Sequence, residues 1–252
     1  MTTNPPTIDS WSYSRLADYA ECPRKAFLKY AMKIKDPRPS FAADRGTRIH
    51  TVCEEFINGK SDYSPLTPFP DEVETFKDEL ISMRLQFKQG TVELEGEWGF
   101  NRDWVPVPYK GAWGRGKADL VLLPTPEEAV IVDFKTGKKF GNEIKHGQQL
   151  TAYAVATFCR YPTVKNITAE LWYLDADDLT SIKMERERTL KVHLHQLDRR
   201  ARQMTEATEF PATPNIIACK YCPYGDTGDC DKRVVDSVAT TAFYKRKFGG
   251  KS

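Results

Sequence analysis

Charged side chains interrupt the two most strand-like apolar segments of the chain, between residues 116 and 138. Asp119 opens the first segment, and Asp133 and Lys135 lie at the end of the second. If the segments are neighbouring strands with both carboxylates on one face, Lys135 projects from that face too, because side chains alternate along a strand. Two carboxylates beside an ammonium suit a hard divalent cation and a water activated next to it. A structural salt bridge between Asp133 and Lys135 explains the same spacing equally well.

The sequence around these charges resembles the PD-(D/E)xK nuclease superfamily. "GKAD" followed by "DFK" is similar to its D…DxK signature, with Ala118 at the position of the proline in the family name. "QQLTAYA" resembles the QxxxY motif and matches Gln149 and Tyr153. "RGTRIHTVCEEF" resembles the helix that supplies a metal-binding histidine in RecB-type nucleases, which indicates His50. The motifs follow the family's order, and the chain is also similar to the CRISPR-adaptation nucleases.

The resemblance implies a metal site built around the charged trio. Asp119 and Asp133 would hold a Mg²⁺ or Mn²⁺ ion, with His50 and the carbonyl group of Phe134 as further ligands. Lys135 would orient the attacking water, favour its deprotonated form and then offset charge in the transition state.

Two residues of the following helix complete the implied active site. Gln149 and Tyr153 are four positions apart and therefore share one helix face. The resemblance puts both beside the metal and the scissile phosphate. Without the resemblance, Tyr153 is typical of a core aromatic residue and His50 of a hydrogen-bonded polar residue.

The cysteines predict a second metal centre. Cys219, Cys222 and Cys230 lie close together among glycine and proline residues, as in a metal knuckle, and three thiolates need a fourth ligand. "WSYSRLADYAECPRKAFLKY" and "CKYCPYGDTGDC" resemble the terminal segments of the iron–sulfur nucleases, which nominates Cys22 and implies a four-iron (4Fe-4S) cluster. Zinc on the same thiolates is the alternative. The remaining cysteines fall in helix patterns and are predicted to be small buried residues: Cys53 and Cys159.

Hydrophobic periodicity predicts the elements that must position these residues. The predicted helices cover residues 12–34 with a kink or break at Pro23, 44–58, 71–89, 143–159 and 191–208. The predicted strands are "TVELEGEW", "WVPVPY", 117–123, 129–135, "ITAELWYL" and an exposed edge strand "SIKMERERTL", with loops at 36–43 and "SDYSPLTPFP". This order is typical of a mixed α/β domain.

The resemblance implies more about the fold. It implies a restriction-endonuclease-like core, in which a mixed central sheet is flanked by helices. The core would carry helical N- and C-terminal extensions, residues 11–35 and 209–232, joined by the metal cluster. We expect one nuclease domain over residues 1–252.

The composition of the chain indicates where in the cell the protein acts more clearly than it indicates the function. With 37 basic and 35 acidic side chains, net charge says little about nucleic acid, although residues 183–203 are locally basic. No apolar run is long enough for a membrane span, and the first ten residues lack the features of a secretory signal. We therefore expect a cytoplasmic protein, with no membrane partner, whose cysteines are thiols or metal ligands.

The resemblance implies a metal-dependent DNA exonuclease that acts on single strands or DNA ends, in recombination, repair or CRISPR-type DNA processing. The alternative is a non-catalytic module that binds DNA ends inside a larger recombination complex. The intact Asp119, Asp133 and Lys135 trio favours the enzyme. The sequence contains no phosphate-binding loop of the helicase type, so unwinding would come from a helicase or recombinase partner.

Overall fold

The computed structural model describes residues 6–62, 69–137 and 139–235, without the side chains of residues 93–96. Two compact units divide the chain: a continuous one, Ser40–Arg200, and one that combines Met1–Pro39 with Ala201–Ser252. Most of the predicted loop "SDYSPLTPFP" lies outside the described residues. Both predicted cysteine-bearing segments fall in the second unit, and the single nuclease domain stays a prediction.

The continuous unit contains one mixed sheet. Its strands are β1 (Val92–Phe100), β2 (Pro106–Val107), β3 (Gly114–Thr125), β4 (Glu128–Lys135), β5 (Asn166–Tyr173) and β6 (Asp178–Glu185). They form a six-stranded sheet in the order β2-β1-β3-β4-β5-β6. Only the β4–β5 pair is parallel among these neighbours. The predicted mixed α/β sheet is therefore confirmed.

Helices supply the connections that the sheet requires. They are α1 (Tyr13–Glu21), α2 (Pro23–Ala26), α3 (Phe41–Ile57), α4 (Asp71–Glu74), α5 (Lys77–Lys88), α6 (Glu143–Arg160), α7 (Arg186–Thr189), α8 (His195–Thr205) and α9 (Ile216–Tyr221). A π-helical turn, Phe27–Ala31, extends α2, and another, Leu190–Leu194, joins α7 to α8. Parallel strands need a long crossover, and α6 provides it between β4 and β5. No helix of the described residues is long and apolar enough to cross a bilayer.

The two faces of the sheet are covered by different helices. Val132 and Phe134 of β4 belong to a core that includes Ile49 of α3 and Leu80 of α5. Helix α6 packs against β3, β4 and β5. Since successive side chains of a strand alternate, Asp133 lies opposite this first core, toward the face that α6 covers. Burial on both faces explains why β4 reads as a nearly continuous apolar run.

The N-terminal helical segment breaks where proline predicts a break. Ser12 caps α1, since its hydroxyl group accepts a hydrogen bond from the Arg15 N–H group at 3.4 Å. Cys22 then adopts an extended conformation, and Pro23 starts α2 at the first helical position, where its missing N–H group costs nothing. The chain direction therefore changes at Cys22.

Several predicted boundaries are wrong. The predicted helix 71–89 is divided into α4 and α5 by Thr75 and Phe76. Helix α3 begins at Phe41, inside the predicted loop. Only Pro106–Val107 of "WVPVPY" joins the sheet, because proline cannot donate to a strand ladder. The edge strand ends at Glu185, not at Leu190, and a helix follows. There Arg186 donates hydrogen bonds to the carbonyl groups of Tyr161 and Val164, which holds the chain away from the sheet edge.

Candidate active site

The two aspartates lie where strands β3 and β4 separate. Pairing between these strands extends from Thr125↔Glu128 to Leu120↔Val132, and Asp119 and Asp133 are the next residues on each strand. The Phe134 N–H group donates a hydrogen bond to Asp119 Oδ2 at 2.7 Å. The carboxylate of Asp119 thus bridges the gap between the two strands.

Asp133 is buried and ionically paired. Its side chain is 5% exposed, and its Oδ2 atom forms an ion pair with the ammonium group of Lys135. Apart from this ion pair, the oxygen accepts no hydrogen bond from the described residues. Burial raises the pKa of Asp133; the positive charge of Lys135 opposes this rise, and the negative charge of Asp119 adds to it. A cation would relieve both the burial cost and the repulsion.

Lys135 is held from the other side by helix α6. Its Nζ atom donates to Gln149 Oε1 at 2.9 Å, and Gln149 Nε2 donates to the hydroxyl group of Tyr153 at 2.8 Å. The Tyr153 ring meets Trp98 edge to face, with ring centroids 6.0 Å apart. The predicted helix face therefore delivers Gln149 and Tyr153 to the charged trio as a hydrogen-bonded chain.

Helix α3 contributes His50 to the same site. His50 Nδ1 lies 2.9 Å from Asp119 Oδ1. Burial lowers the pKa of His50, but the hydrogen bond and the charge of Asp119 outweigh it, so the net shift is upward. The ring also meets Phe134 edge to face, with centroids 5.8 Å apart.

The donor set suits a hard divalent cation. The residues that could hold such an ion are Asp119 and Asp133 through carboxylate oxygens, His50 through an imidazole nitrogen and Phe134 through its carbonyl group. Asp133 Oδ2 is buried, and its contact is the ion pair with Lys135, which suits an oxygen that could also bind a cation. Within the described part of the chain, no three His, Cys, Asp or Glu side chains are already arranged around one point.

The sequence reasoning missed His146. It lies on α6 one turn before Gln149, and its Nδ1 atom is 3.1 Å from the hydroxyl group of Tyr173. Burial lowers the pKa of His146 to about 4, and the positive charge of nearby Lys135 contributes. Its helical spacing from Gln149 and Tyr153 is a signal that could have indicated it.

The sequence also missed a network that fixes the segment after Lys135. Arg45 of α3 donates two hydrogen bonds to Asp175, at 2.8 and 2.6 Å. Asp175 Oδ2 also accepts one from the Gly137 N–H group. Gly46 allows the close approach, since a Cβ atom there would lie 3.0 Å from Thr136 Oγ1. Helix α3 and the end of β4 are thereby held together.

The four predicted cysteine ligands meet in the other unit. Cys22, Cys219, Cys222 and Cys230 line one pocket, and all are free thiols. The Cys230 N–H group donates to the carbonyl group of Tyr224 at 2.8 Å, which folds the last ligand back toward the others. Burial raises the pKa of Cys222. Four thiols around one pocket fit a four-thiolate metal centre, although they are not yet gathered at bonding distance around one point.

The other two cysteines, Cys53 and Cys159, are not among the residues that line this pocket. Cys53 is buried as predicted, whereas Cys159 is only half-buried, so that prediction is wrong for Cys159. Burial raises the pKa of Cys53 to about 12 and that of Cys159 to about 11, which keeps both thiols protonated.

Comparison with known proteins identifies the family. The sequence model of the PD-(D/E)XK nuclease superfamily matches residues 10–227, so the chain belongs to this superfamily. A comparison with curated proteins finds no match.

Solved structures of other proteins resemble this chain to different degrees. A "putative exonuclease" from Eubacterium rectale is 15% identical, over 93% of this chain and 94% of that one, with a TM-score of 0.52. An alkaline exonuclease from Laribacter hongkongensis is 12% identical, over 79% and 89% of the two chains, with a TM-score of 0.33. At these sequence identities, the comparison with the Eubacterium rectale protein indicates a shared fold and nothing about activity, and the second comparison supports no conclusion. The RecB-type, iron–sulfur subtype remains a prediction.

Proposed function

We propose that the chain is a metal-dependent deoxyribonuclease, an exonuclease that hydrolyses phosphodiester bonds in single strands or at DNA ends. Membership of the nuclease superfamily supports the reaction class. The observation that carries the proposal is the ion pair of Asp133 with Lys135, an ammonium that Gln149 also holds at 2.9 Å. A buried carboxylate beside an ammonium group that a second side chain holds in place matches the needs of hydrolysis better than those of packing.

The proposed mechanism assigns a task to each side chain. Asp119, Asp133, His50 and the Phe134 carbonyl would hold Mg²⁺ or Mn²⁺, which supplies Lewis acidity and an acidified water when bound. Lys135 orients that water and offsets the charge that develops on the phosphate oxygens.

Helix α6 sets the position of the ammonium. Gln149 fixes the Lys135 side chain, and Tyr153 fixes the amide of Gln149, so that the ammonium needs little rearrangement during the reaction. The Eubacterium rectale protein is named a putative exonuclease, and this name supports the proposal that the chain removes nucleotides from DNA ends and does not cut within strands.

The same chain would carry a structural metal centre. We propose that Cys22, Cys219, Cys222 and Cys230 bind a 4Fe-4S cluster, with zinc as the alternative, because four free thiols line one pocket. The proposed setting is cytoplasmic DNA recombination, repair or CRISPR-type processing, alongside a helicase or recombinase that opens the duplex.

A DNA-end-binding module without activity is the competing proposal. The experiment that separates the two is incubation of the purified protein with end-labelled single- and double-stranded DNA, with Mg²⁺, with Mn²⁺ and with excess chelator. Metal-dependent release of mononucleotides or short products supports the nuclease. Binding of ends without cleavage under every condition supports the module.

A further inference from the structure

One face of β3 carries basic side chains that lead to Asp119. Arg115 and Lys117 alternate with Ala118, which is fully buried, and therefore share the face of Asp119. At about 3.3 Å per residue, Arg115 lies roughly 13 Å from Asp119 along the strand. Glu97 on β1 pairs in register with Lys117 and offsets part of its charge.

The start of β3 adjoins an open cleft, which we call the β1–β3 cleft. Its lining includes Asn101, Arg102, Asp103, Pro108, Lys110 and Trp113, and its volume is about 530 Å³. This volume falls within the usual range for ligand pockets. Trp113 lies roughly 20 Å along the strand from Asp119.

Two arginine guanidinium groups lie over aromatic rings at this cleft. The guanidinium group of Arg102 lies 5.7 Å from the ring centroid of Trp113, and that of Arg115 lies 5.5 Å from that of Tyr109. Arg115 Nε also donates to the Ala112 carbonyl group at 3.2 Å, which ties the basic strand face to the cleft wall. A guanidinium group fixed in this way can bind a phosphate and stack on a base.

The residues behind the cleft are closely packed. The ring of Trp104 meets Trp113 edge to face at 6.1 Å, and Trp104 Nε1 donates to Asp198 at 3.0 Å. Both rings are buried, so they form a floor rather than exposed stacking surfaces. At Gly99 a Cβ atom would come within 2.6 Å of the Val107 carbonyl oxygen, so β1 and the cleft wall touch backbone to backbone.

We propose that the β1–β3 cleft, with Arg115, is a subsite for the substrate strand a few nucleotides away from the scissile phosphate. This inference rests on the proposed nuclease function. Its basic groups, Arg102, Lys110 and Arg115, outnumber the acidic Asp103. These basic groups continue along the strand face that leads to Asp119. We therefore expect the cleft to bind a phosphodiester chain that extends from the active site.

The test compares two double variants in an Asp133→Ala background, which is expected not to cut. Arg102→Ala with Lys110→Ala removes two cleft charges. Lys60→Ala with Lys88→Ala removes two exposed charges outside both the cleft and the locally basic segment 183–203, as the matched control. Binding of a dinucleotide and of a long single strand is measured over a range of salt concentrations.

The cleft variant should lose affinity for the long strand but not for the dinucleotide. The slope of log affinity against log salt concentration should become shallower by about 1.4. The variant removes two basic groups, and each single-strand phosphate contact contributes about 0.7 to the magnitude of the slope. The control should keep the wild-type slope. An unchanged slope in the cleft variant, or an equal loss in both variants, would overturn the subsite.

A second readout keeps the subsite separate from the active site. With Asp133 intact and Mn²⁺ present, hydrolysis of bis(p-nitrophenyl) phosphate needs no strand beyond the reacting phosphate. The cleft variant should therefore hydrolyse it at the wild-type rate, and a loss would overturn the assignment of the cleft as a remote subsite. Absence of hydrolysis by the wild type, by contrast, counts against the proposed nuclease function.

Discussion

His50 Nδ1 lies 2.9 Å from Asp119 Oδ1, which ties helix α3 to strand β3 beside the point where β3 and β4 separate. The contact uses one oxygen of a proposed metal ligand, and Phe134 uses the other. His50 therefore orients the carboxylate of Asp119 and is itself a proposed ligand. Both roles make the affinity for metal depend on the side chain at position 50.

We expect His50→Ala to weaken Mn²⁺ binding by about 10- to 100-fold, the usual effect of losing a group that ligates or orients at a metal centre. Calorimetric titration of the DNA-free protein with Mn²⁺ measures this directly. His195→Ala, at an exposed position, is the control and should bind as the wild type does. Wild-type affinity in His50→Ala would remove His50 from the metal site.

Asp133→Ala and Lys135→Ala should each abolish DNA cleavage while the protein stays folded. The reason is that Asp133 would supply a metal ligand and Lys135 a fixed charge, whereas the two side chains form an ion pair and do not fill the apolar core. Cleavage of end-labelled DNA and far-ultraviolet circular dichroism provide the two measurements. Cleavage at the wild-type rate by Asp133→Ala, or full wild-type activity in excess EDTA, would refute the active-site assignment.

Tyr153→Phe should lower kcat by about fivefold with little change in KM, because it removes one hydrogen bond to Gln149 worth about 1 kcal/mol. The ring would still pack against Trp98, so stability should change little. Gln149→Ala should cost more, since it frees Lys135 itself. Steady-state kinetics of both variants test the order, and a larger loss in Tyr153→Phe would contradict it.

Gly46→Ala tests how closely α3 approaches the end of β4. Alanine should favour the helix by about 1 kcal/mol, but the new Cβ atom presses on Thr136 Oγ1 at 3.0 Å. In a Thr136→Ala background that pressure is gone, so Gly46→Ala should stabilise the protein more there than alone. Urea unfolding of the four proteins gives the coupling free energy. Equal effects in both backgrounds would show that the contact is unimportant.

Loss of any one of Cys22, Cys219, Cys222 and Cys230 should remove the proposed metal. Protein prepared without oxygen should be brown if a 4Fe-4S cluster is present. Cys22→Ala should then be as damaging as Cys219→Ala, and by the chain-entropy model the lost cross-link costs about 4–5 kcal/mol.

The matched controls are Cys53→Ala and Cys159→Ala, whose thiols are held protonated by burial. Iron and zinc analysis of each variant is the measurement, and one zinc without iron would replace the cluster by a zinc site. If Cys22→Ala keeps the brown colour of the wild type, Cys22 is not the fourth ligand of the cluster.

The central part of the candidate site was predictable from local patterns. Alternation along two adjacent strands brings Asp119, Asp133 and Lys135 together, and helical spacing pairs Gln149 with Tyr153. These relations depend on short sequence separations and on the regular geometry of strands and helices. The geometry agrees with the residues that were predicted, while their catalytic roles stay predictions.

Long-range contacts were not predictable in the same way. Nothing in the sequence pairs Arg45 with Asp175, because the contact exists only once α3 packs beside the turn after β5. The end of β6 likewise depends on Arg186, which binds carbonyl groups of the segment before β5. Local propensity favoured a longer strand there, and these tertiary hydrogen bonds overrode it.

The composition of the two units has a consequence for biosynthesis. The sheet-bearing unit is one continuous stretch, Ser40–Arg200, whereas the proposed metal ligands that would join Cys22 follow Ala201. At about 5–20 residues per second, a ribosome takes roughly 10–40 s to travel from Cys22 to Cys219. The sheet-bearing unit can therefore fold on the ribosome before the other proposed ligands have been synthesised. Loading of the cysteine metal would then be the last step in the protein's maturation, and a cell short of that metal would accumulate chains with a formed sheet and an incomplete second unit.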